Sequence, residues 1–189
     1  MNLNRKLILA SNSPRRKELL DKLDIDFEVR VKEVAEDFPE NLRREEIAEY
    51  LANHKAEAYG ADIQPDEIIL TADTIVCLDD QVLNKPADET EAFRMLSLLS
   101  GRQHTVITGV CLLSRSKKVL FHDVTQVYFK SLSDAEINYY LEHYGPYDKA
   151  GAYGAQEWLG LIAIERLEGS YYNVMGLPVH AIYAELLEF

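Results

Sequence analysis

A chain of 189 residues, 47% of them apolar, suits one globular domain or two small lobes sharing a core. Its 32 acidic and 20 basic residues leave a formal net charge of -12, which excludes broad electrostatic capture of nucleic acid or of an anionic membrane. The two cysteines, Cys77 and Cys111, both lie in apolar runs, so they read as inert buried thiols rather than a disulfide framework or metal knuckle.

In chain order, "KLILA" (6–10) reads as a short buried strand, "SNSPRR" as a turn, and Pro14 to Leu23 as a helix with Leu19, Leu20 and Leu23 on one face. Arg5 and Lys6 before "LILA" imitate a secretory signal, but that apolar core is far shorter than the roughly 7 to 15 residues a signal needs, and the expectation is a reducing cytoplasm. "FEVRV" (27–31) alternates like a half-buried strand, and Glu45 to Tyr59 has helical spacing ending at Gly60. "EIILTADTIVCL" (67–78) is the strongest strand, and Glu89 to Leu99 is a helix stopped by Ser100-Gly101. "HTVITGVCLLS" (104–114) and "KVLFHDVTQVYFK" (118–130) form a hairpin or meander across "RSK". Ser133 and Glu136 make a capping box for a helix to about His143. "LGLIAIERL" (159–167) reads as a strand, and "GLPVHAIYAELLEF" as a closing helix entered through Pro178. Interleaved helices and strands without a repeat or long linker give an α/β or α+β class with a mixed sheet.

Several polar residues break these patterns. Asp73 stands inside the strongest strand with Thr71 on the same face; either the strand ends early there, or a desolvated carboxylate serves as metal ligand or general base at a strand end. Lys55 continues the apolar stripe of Ile47 and Leu51, so it either snorkels to the helix edge or points a cation at the same cavity. Lys85 in "LNKPAD" is by itself a loop lysine, held extended by Pro86. Ser11 and Ser13 precede Pro14 and Arg15 and Arg16 follow it at a helix start; either these are surface arginines that cap nothing, or free N–H groups, hydroxyls and guanidinium forks together suit an anion. "GAYGAQ" (151–156) is too short a glycine pattern to stand alone, although its two glycines beside Tyr153 would let backbone approach a planar ligand and Gln156 would offer an amide to a base edge. There is no GxGxxG, GxxxxGK[ST] or HExxH, and the five histidines lack metal spacing. Glu45, Glu46 and Glu49 read as a solvated helix face.

Taken in order, "SNSPRR", "VAE" (34–36), "HKA" (54–56), "ADT" (72–74), "NKP" (84–86), "LSGRQHTVITGV", "DKAGAYGAQ" and "GSYYNVMGLP" resemble the Maf family of nucleotide pyrophosphatases, from residue 7 to about 185. The resemblance implies one domain over residues 1–189, an α/β fold with a mixed twisted sheet and flanking helices in two lobes around a cleft, similar to inosine triphosphate pyrophosphatases. It implies hydrolysis of a nucleoside triphosphate between its α and β phosphates with a divalent metal, Mg or Mn. By motif position Asp73 is the catalytic acid and a metal ligand, and Glu36 is the second ligand. The middle residue of the usual "VDE" is Ala35 here, which supplies no carboxylate but leaves Glu36 in register. Ser13, Arg15, Arg16, Lys55 and Lys85 fall on positions used around the triphosphate. Arg15, Thr74 and Gln156 resemble the subfamily acting on dTTP and UTP, whereas the sibling group preferring 7-methyl-GTP carries Trp and Glu in place of the first and last. Modified pyrimidine nucleotides as substrates, and a nucleotide-binding role in septum formation, are the remaining readings. A nucleoside triphosphate is the expected partner, with no nucleic acid or membrane, and the family resemblance is compatible with a homodimer.

Overall fold

In the computed structural model, which describes residues 4–189, strand β1 (Lys6–Leu9) is buried over its last three residues and pairs in parallel with β2 (Phe27–Val29) and β3 (Glu67–Leu78). Burial on both faces is why β1 and β3 read as continuous apolar runs instead of alternating. Helix α1 (Pro14–Asp21) starts where the Ser13 hydroxyl accepts from the Arg16 N–H, with proline's fixed φ in its first turn. It buries Leu19 and Leu20; Leu23 lies just past its end and is half-buried. The expected strand over 27–31 is shorter and largely exposed; Arg30, just past its end, still donates its N–H to the Leu9 carbonyl at 3.1 Å, and its side chain forks Glu67 at 2.7 and 3.0 Å.

Helix α2 (Arg44–Glu57) buries Ile47, Ala48, Leu51, Ala52 and Ala56. Alanines every four residues let the helix approach β5 (Gln103–Leu113), Ala52 and Ala56 packing with Cys111 and Ala48 meeting Gly109, where a Cβ would fall 2.1 Å from the Ala48 carbonyl oxygen. The buried Thr71 hydroxyl donates to the Ala52 carbonyl at 2.7 Å and ties α2 to β3.

β4 (Gln81–Leu83) pairs antiparallel with the end of β3, and α3 (Glu89–Leu99) is capped by Asp88. β5 is joined to β6 (Lys118–Phe129) through a turn closed by Ser114 N donating to Lys117 O at 2.8 Å. α4 (Asp134–Tyr144) carries the expected Ser133/Glu136 capping box and ends on left-handed Gly145. The segment read as one strand over 159–167 is instead helix α5 (Trp158–Ala163) followed by β7 (Ile164–Glu168). In a strand Leu159 and Leu161 would share a face, yet Leu159 is fully buried and Leu161 is 76% exposed; Leu159, Gly160 and Ala163 form one helical face. A short α6 (Tyr171–Val174) and α7 (Val179–Leu187), entered through Pro178, close the chain.

The strands make a seven-stranded mixed sheet in the order β2-β1-β3-β5-β6-β7, with β4 on β3. The chain separates into two compact units, one comprising residues through Asp73, Thr108–Asp123 and Gly176–Phe189, the other Thr74–Ile107 and Val124–Met175. The first has small cores such as Ile8, Tyr59, Ile63 and Ile69; the second is built on one larger core that includes Leu96, Val127, Phe129, Tyr140 and Tyr153. Cys77 and Cys111 are buried and not joined in a disulfide, and burial pushes the Cys111 thiol up to about 11. Among the described residues no helix is long and apolar enough to cross a membrane.

Candidate active site

In the first unit the functional side chains converge because α2 is held down on β3. Lys55, one turn after the anchored Ala52, places its ammonium between two carboxylates: it is 2.8 Å from Glu36 Oε1 and in hydrogen-bond contact with Asp73 Oδ1. The side chains of Lys55 and Asp73 are only 17% and 13% exposed, whereas Glu36 is 48% exposed. Thus the lysine does not snorkel, and Asp73 is no turn residue; β3 runs on five residues beyond it. Asp73 Oδ2 accepts no hydrogen bond from a described residue, which leaves an oxygen for a water or a cation.

The loop between β1 and α1 is tied into the same unit. Arg16 donates from Nε to the Gly176 carbonyl and from Nη1 to the Ala72 carbonyl, both at 2.8 Å, and from Nη1 to Ser11 Oγ at 3.3 Å. Burial lowers its pKa, opposed by the negative charge of Asp73; Arg15 lowers it further as a like charge. Backbone carbonyls carry no net charge, so these contacts orient the guanidinium without cancelling its charge. The first turn of α1 contains no acidic residue, and Ser13, half-buried, uses its hydroxyl as the helix cap. Arg15 is half-buried beside it. Positive side chains and a positive helix end with no acid in its first turn make this loop suited to an anion.

Two carboxylate oxygens sharing one ammonium form a hard oxygen donor set. That fits Mg²⁺ or Mn²⁺, which are commonly held by one or two carboxylates with water and substrate oxygens completing the shell. Among the described residues no group of three or more His, Cys, Asp or Glu gathers as a closed metal cage.

The second unit contains Thr74, Lys85 and Gln156. Thr74 follows Asp73 on β3 and is half-buried, and Lys85 is exposed after β4. The Asn84 carbonyl accepts from Gly151 N at 3.2 Å, which links the Lys85 segment to the loop bearing Gln156. Gly151 needs its glycine: φ is +69°, and a Cβ would sit 3.0 Å from both Val76 methyls. Gln156 is half-buried, and its side-chain oxygen is buried with no hydrogen-bond partner among the described residues. Beneath the loop, Tyr153 OH meets His104 Nε2 at 2.7 Å, with Phe129 edge-on to both rings. Burial drives the His104 pKa down to about 3, so this contact is made by a neutral imidazole.

The Maf-like protein family profile matches residues 6–189. The chain belongs to the Maf-like family. Among Maf-like relatives, a dTTP/UTP pyrophosphatase of Porphyromonas gingivalis is 55% identical over 97% of this chain and 94% of its own length. Proteins of the same description from Flavobacterium psychrophilum and Bacteroides fragilis are 51% and 50% identical, covering 97% and 98% of this chain and 94% and 97% of their own. Two solved structures share part of this Maf-like chain. A nucleoside-triphosphatase / dITP/XTP pyrophosphatase of Mycobacterium abscessus has TM-score 0.44 and 17% identity, and the Staphylococcus aureus Ham1 protein has TM-score 0.46 and 15% identity. Each alignment covers 66% of this chain and 72% of the other.

Sequence reasoning passed over Lys149, Glu157 and Tyr140, which surround the Gln156 loop. Lys149 is 8% exposed, its ammonium 2.8 Å from Asp148 Oδ1 and 3.0 Å from Glu157 Oε1. The signal was available: Lys149 heads "AGAYGA", a run without a polar side chain except the Tyr153 hydroxyl, so a lysine there, like Lys55 on its apolar stripe, is out of place.

Proposed function

We propose that this Maf-like chain, acting as a single domain over residues 1–189, hydrolyses dTTP and UTP between the α and β phosphates. Water and the triphosphate give the nucleoside monophosphate and pyrophosphate. The observation that carries the reading is the Lys55 ammonium held between Asp73 and Glu36 in a chain about half identical, over nearly its whole length, to dTTP/UTP pyrophosphatases. Asp73 takes a proton from the attacking water on the oxygen that Lys55 leaves open, and Lys55 fixes the orientation of that carboxylate. Arg15, Arg16, Ser13 and Lys85 hold the phosphate oxygens and offset the charge that develops on departing pyrophosphate. Thr74 and Gln156 bear on the base; a Gln amide donates to and accepts from a uracil or thymine edge, which supports the pyrimidine preference. Glu36 and Asp73 would hold a divalent cation, which when bound supplies further positive charge against the phosphates. The protein works in the cytoplasm on a free nucleotide.

The test is incubation with dTTP or UTP and Mn²⁺, with products resolved by chromatography. dTMP or UMP and pyrophosphate are expected, and Asp73→Asn should lower kcat by about 10²- to 10⁴-fold. Release of orthophosphate, or an Asp73→Asn enzyme as fast as the parent, refutes the mechanism.

A further inference from the structure

Gln156 sits inside a tight turn whose two ends are tied to one oxygen atom. Glu157 N donates to the Gly154 carbonyl at 3.1 Å, closing the turn around Ala155 and Gln156. Gly154 N donates to the Tyr140 hydroxyl at 3.1 Å, and that hydroxyl in turn donates to Glu157 Oε2. The other oxygen of Glu157 is held by buried Lys149. Gly154 lies so close to this carboxylate that a Cβ there would fall 2.7 Å from Glu157 Cδ. Just upstream, Gly151 and Ala152 are both left-handed, at φ of 69° and 60°. A buried alanine in that conformation persists only where its surroundings over-determine the backbone. A buried lysine and phenol around a half-buried carboxylate are costly to assemble unless every partner is supplied, and here the set closes around one turn.

We propose that Tyr140, with Glu157 and Lys149 behind it, is a positioning residue for Gln156 and thereby sets base selectivity without touching the nucleotide. The inference rests on the reading of Gln156 as the residue that faces the base. Removing the hydroxyl leaves the Gly154 N–H and one oxygen of Glu157 without their shared partner, so the turn is held only by its own backbone bond and by Lys149 and the Gln156 amide is aimed less tightly. A polar group aimed at a base edge discriminates only while it is aimed. The loss should therefore appear in selectivity, while binding of the triphosphate common to all substrates is kept.

The experiment measures kcat/KM of the full chain for dTTP, UTP, CTP and 7-methyl-GTP in the parent, Tyr140→Phe, Gln156→Ala and the double variant, all checked for folding by circular dichroism. Tyr140→Phe should lower the ratio of dTTP to CTP turnover by about tenfold to a hundredfold, mainly through KM for dTTP. In the double variant Tyr140→Phe should add no further loss of selectivity, since the amide it positions is absent. Glu157→Gln should shift selectivity in the same direction and replaces Tyr140→Phe if that variant does not fold. The proposal is overturned if either tested variant slows all four substrates equally, or if its effect multiplies unchanged onto Gln156→Ala. Should Gln156→Ala alone leave selectivity intact, the reading of Gln156 fails; a selective loss from Tyr140→Phe in that case would also overturn the positioning route.

Discussion

Replacing Lys55 by Met keeps the length and apolar stem of the side chain but removes the cation shared by Asp73 and Glu36. The cost falls mainly on Asp73, whose side chain is 13% exposed and loses its directly bonded cation, keeping only the field of Arg16; Glu36, 48% exposed, is largely solvated and loses little. Removing one partner of a buried pair costs about 3 kcal/mol or more. For a chain of this size that lowers Tm by about 6–12 °C. A second consequence is specific to the arrangement. With the ammonium gone, two carboxylate oxygens aimed at one point attract a divalent cation more strongly, and Mn²⁺ at about a hundred times its Kd returns about 2.7 kcal/mol. Thermal unfolding followed by circular dichroism, with and without Mn²⁺, measures both effects without any turnover. Mn²⁺ should raise Tm more in Lys55→Met than in the parent, and Lys55→Met/Asp73→Asn should be more stable than Lys55→Met alone, because no buried charge is stranded. A Tm within about 2 °C of the parent, or equal Mn²⁺ shifts in both, refutes the shared-cation reasoning.

Glu67 is 2% exposed, and the Arg30 fork holds its carboxyl down to about 2 from an ordinary 4.5. Its folded pKa is depressed, so its stabilisation is present above about pH 4.5 and is lost as pH falls toward 2. Taken whole the shift corresponds to about 3 kcal/mol, and screening of the half-exposed Arg30 reduces that to about 1–2 kcal/mol. Glu67→Gln should accordingly lower the urea midpoint near neutral pH, and that deficit should close by about pH 2; a constant deficit across the range would count against the ion pair. Gly109→Ala places a methyl 2.1 Å from the Ala48 carbonyl oxygen, a backbone atom that yields only if α2 moves. It should cost about 3 kcal/mol and, by displacing Lys55, lower kcat; full stability and activity in this variant would show that α2 does not need the close approach.

Strongly periodic segments were legible because their signals are local. The bounds of β3 and α3 fall at the expected residues, and the α4 capping box is present as read, since each depends on neighbours a few residues away. The run 159–167 misled because a short apolar string does not distinguish helix from strand. What divided it was the burial of Gly160 against the Ala155 carbonyl, where a Cβ would fall at 2.1 Å, a contact invisible in composition.

Among the candidate site residues, Asp73 and Lys55 were marked by their mismatch with apolar patterns, and a resemblance of ordered motifs named the family. Their pairing was not legible, because a hydrogen bond between residues 18 apart depends on how α2 lies against β3, which Thr71, Gly109 and the alanine stripe decide together. Arg16 shows the same limit. The sequence placed it at a helix start suited to an anion, whereas only the folded chain brings Ala72 and Gly176 to its guanidinium. The sequence by itself determined which side chains could not be buried alone. The tertiary structure decided their partners, because a desolvated charge accepts whichever opposite charge or carbonyl the packing brings within reach.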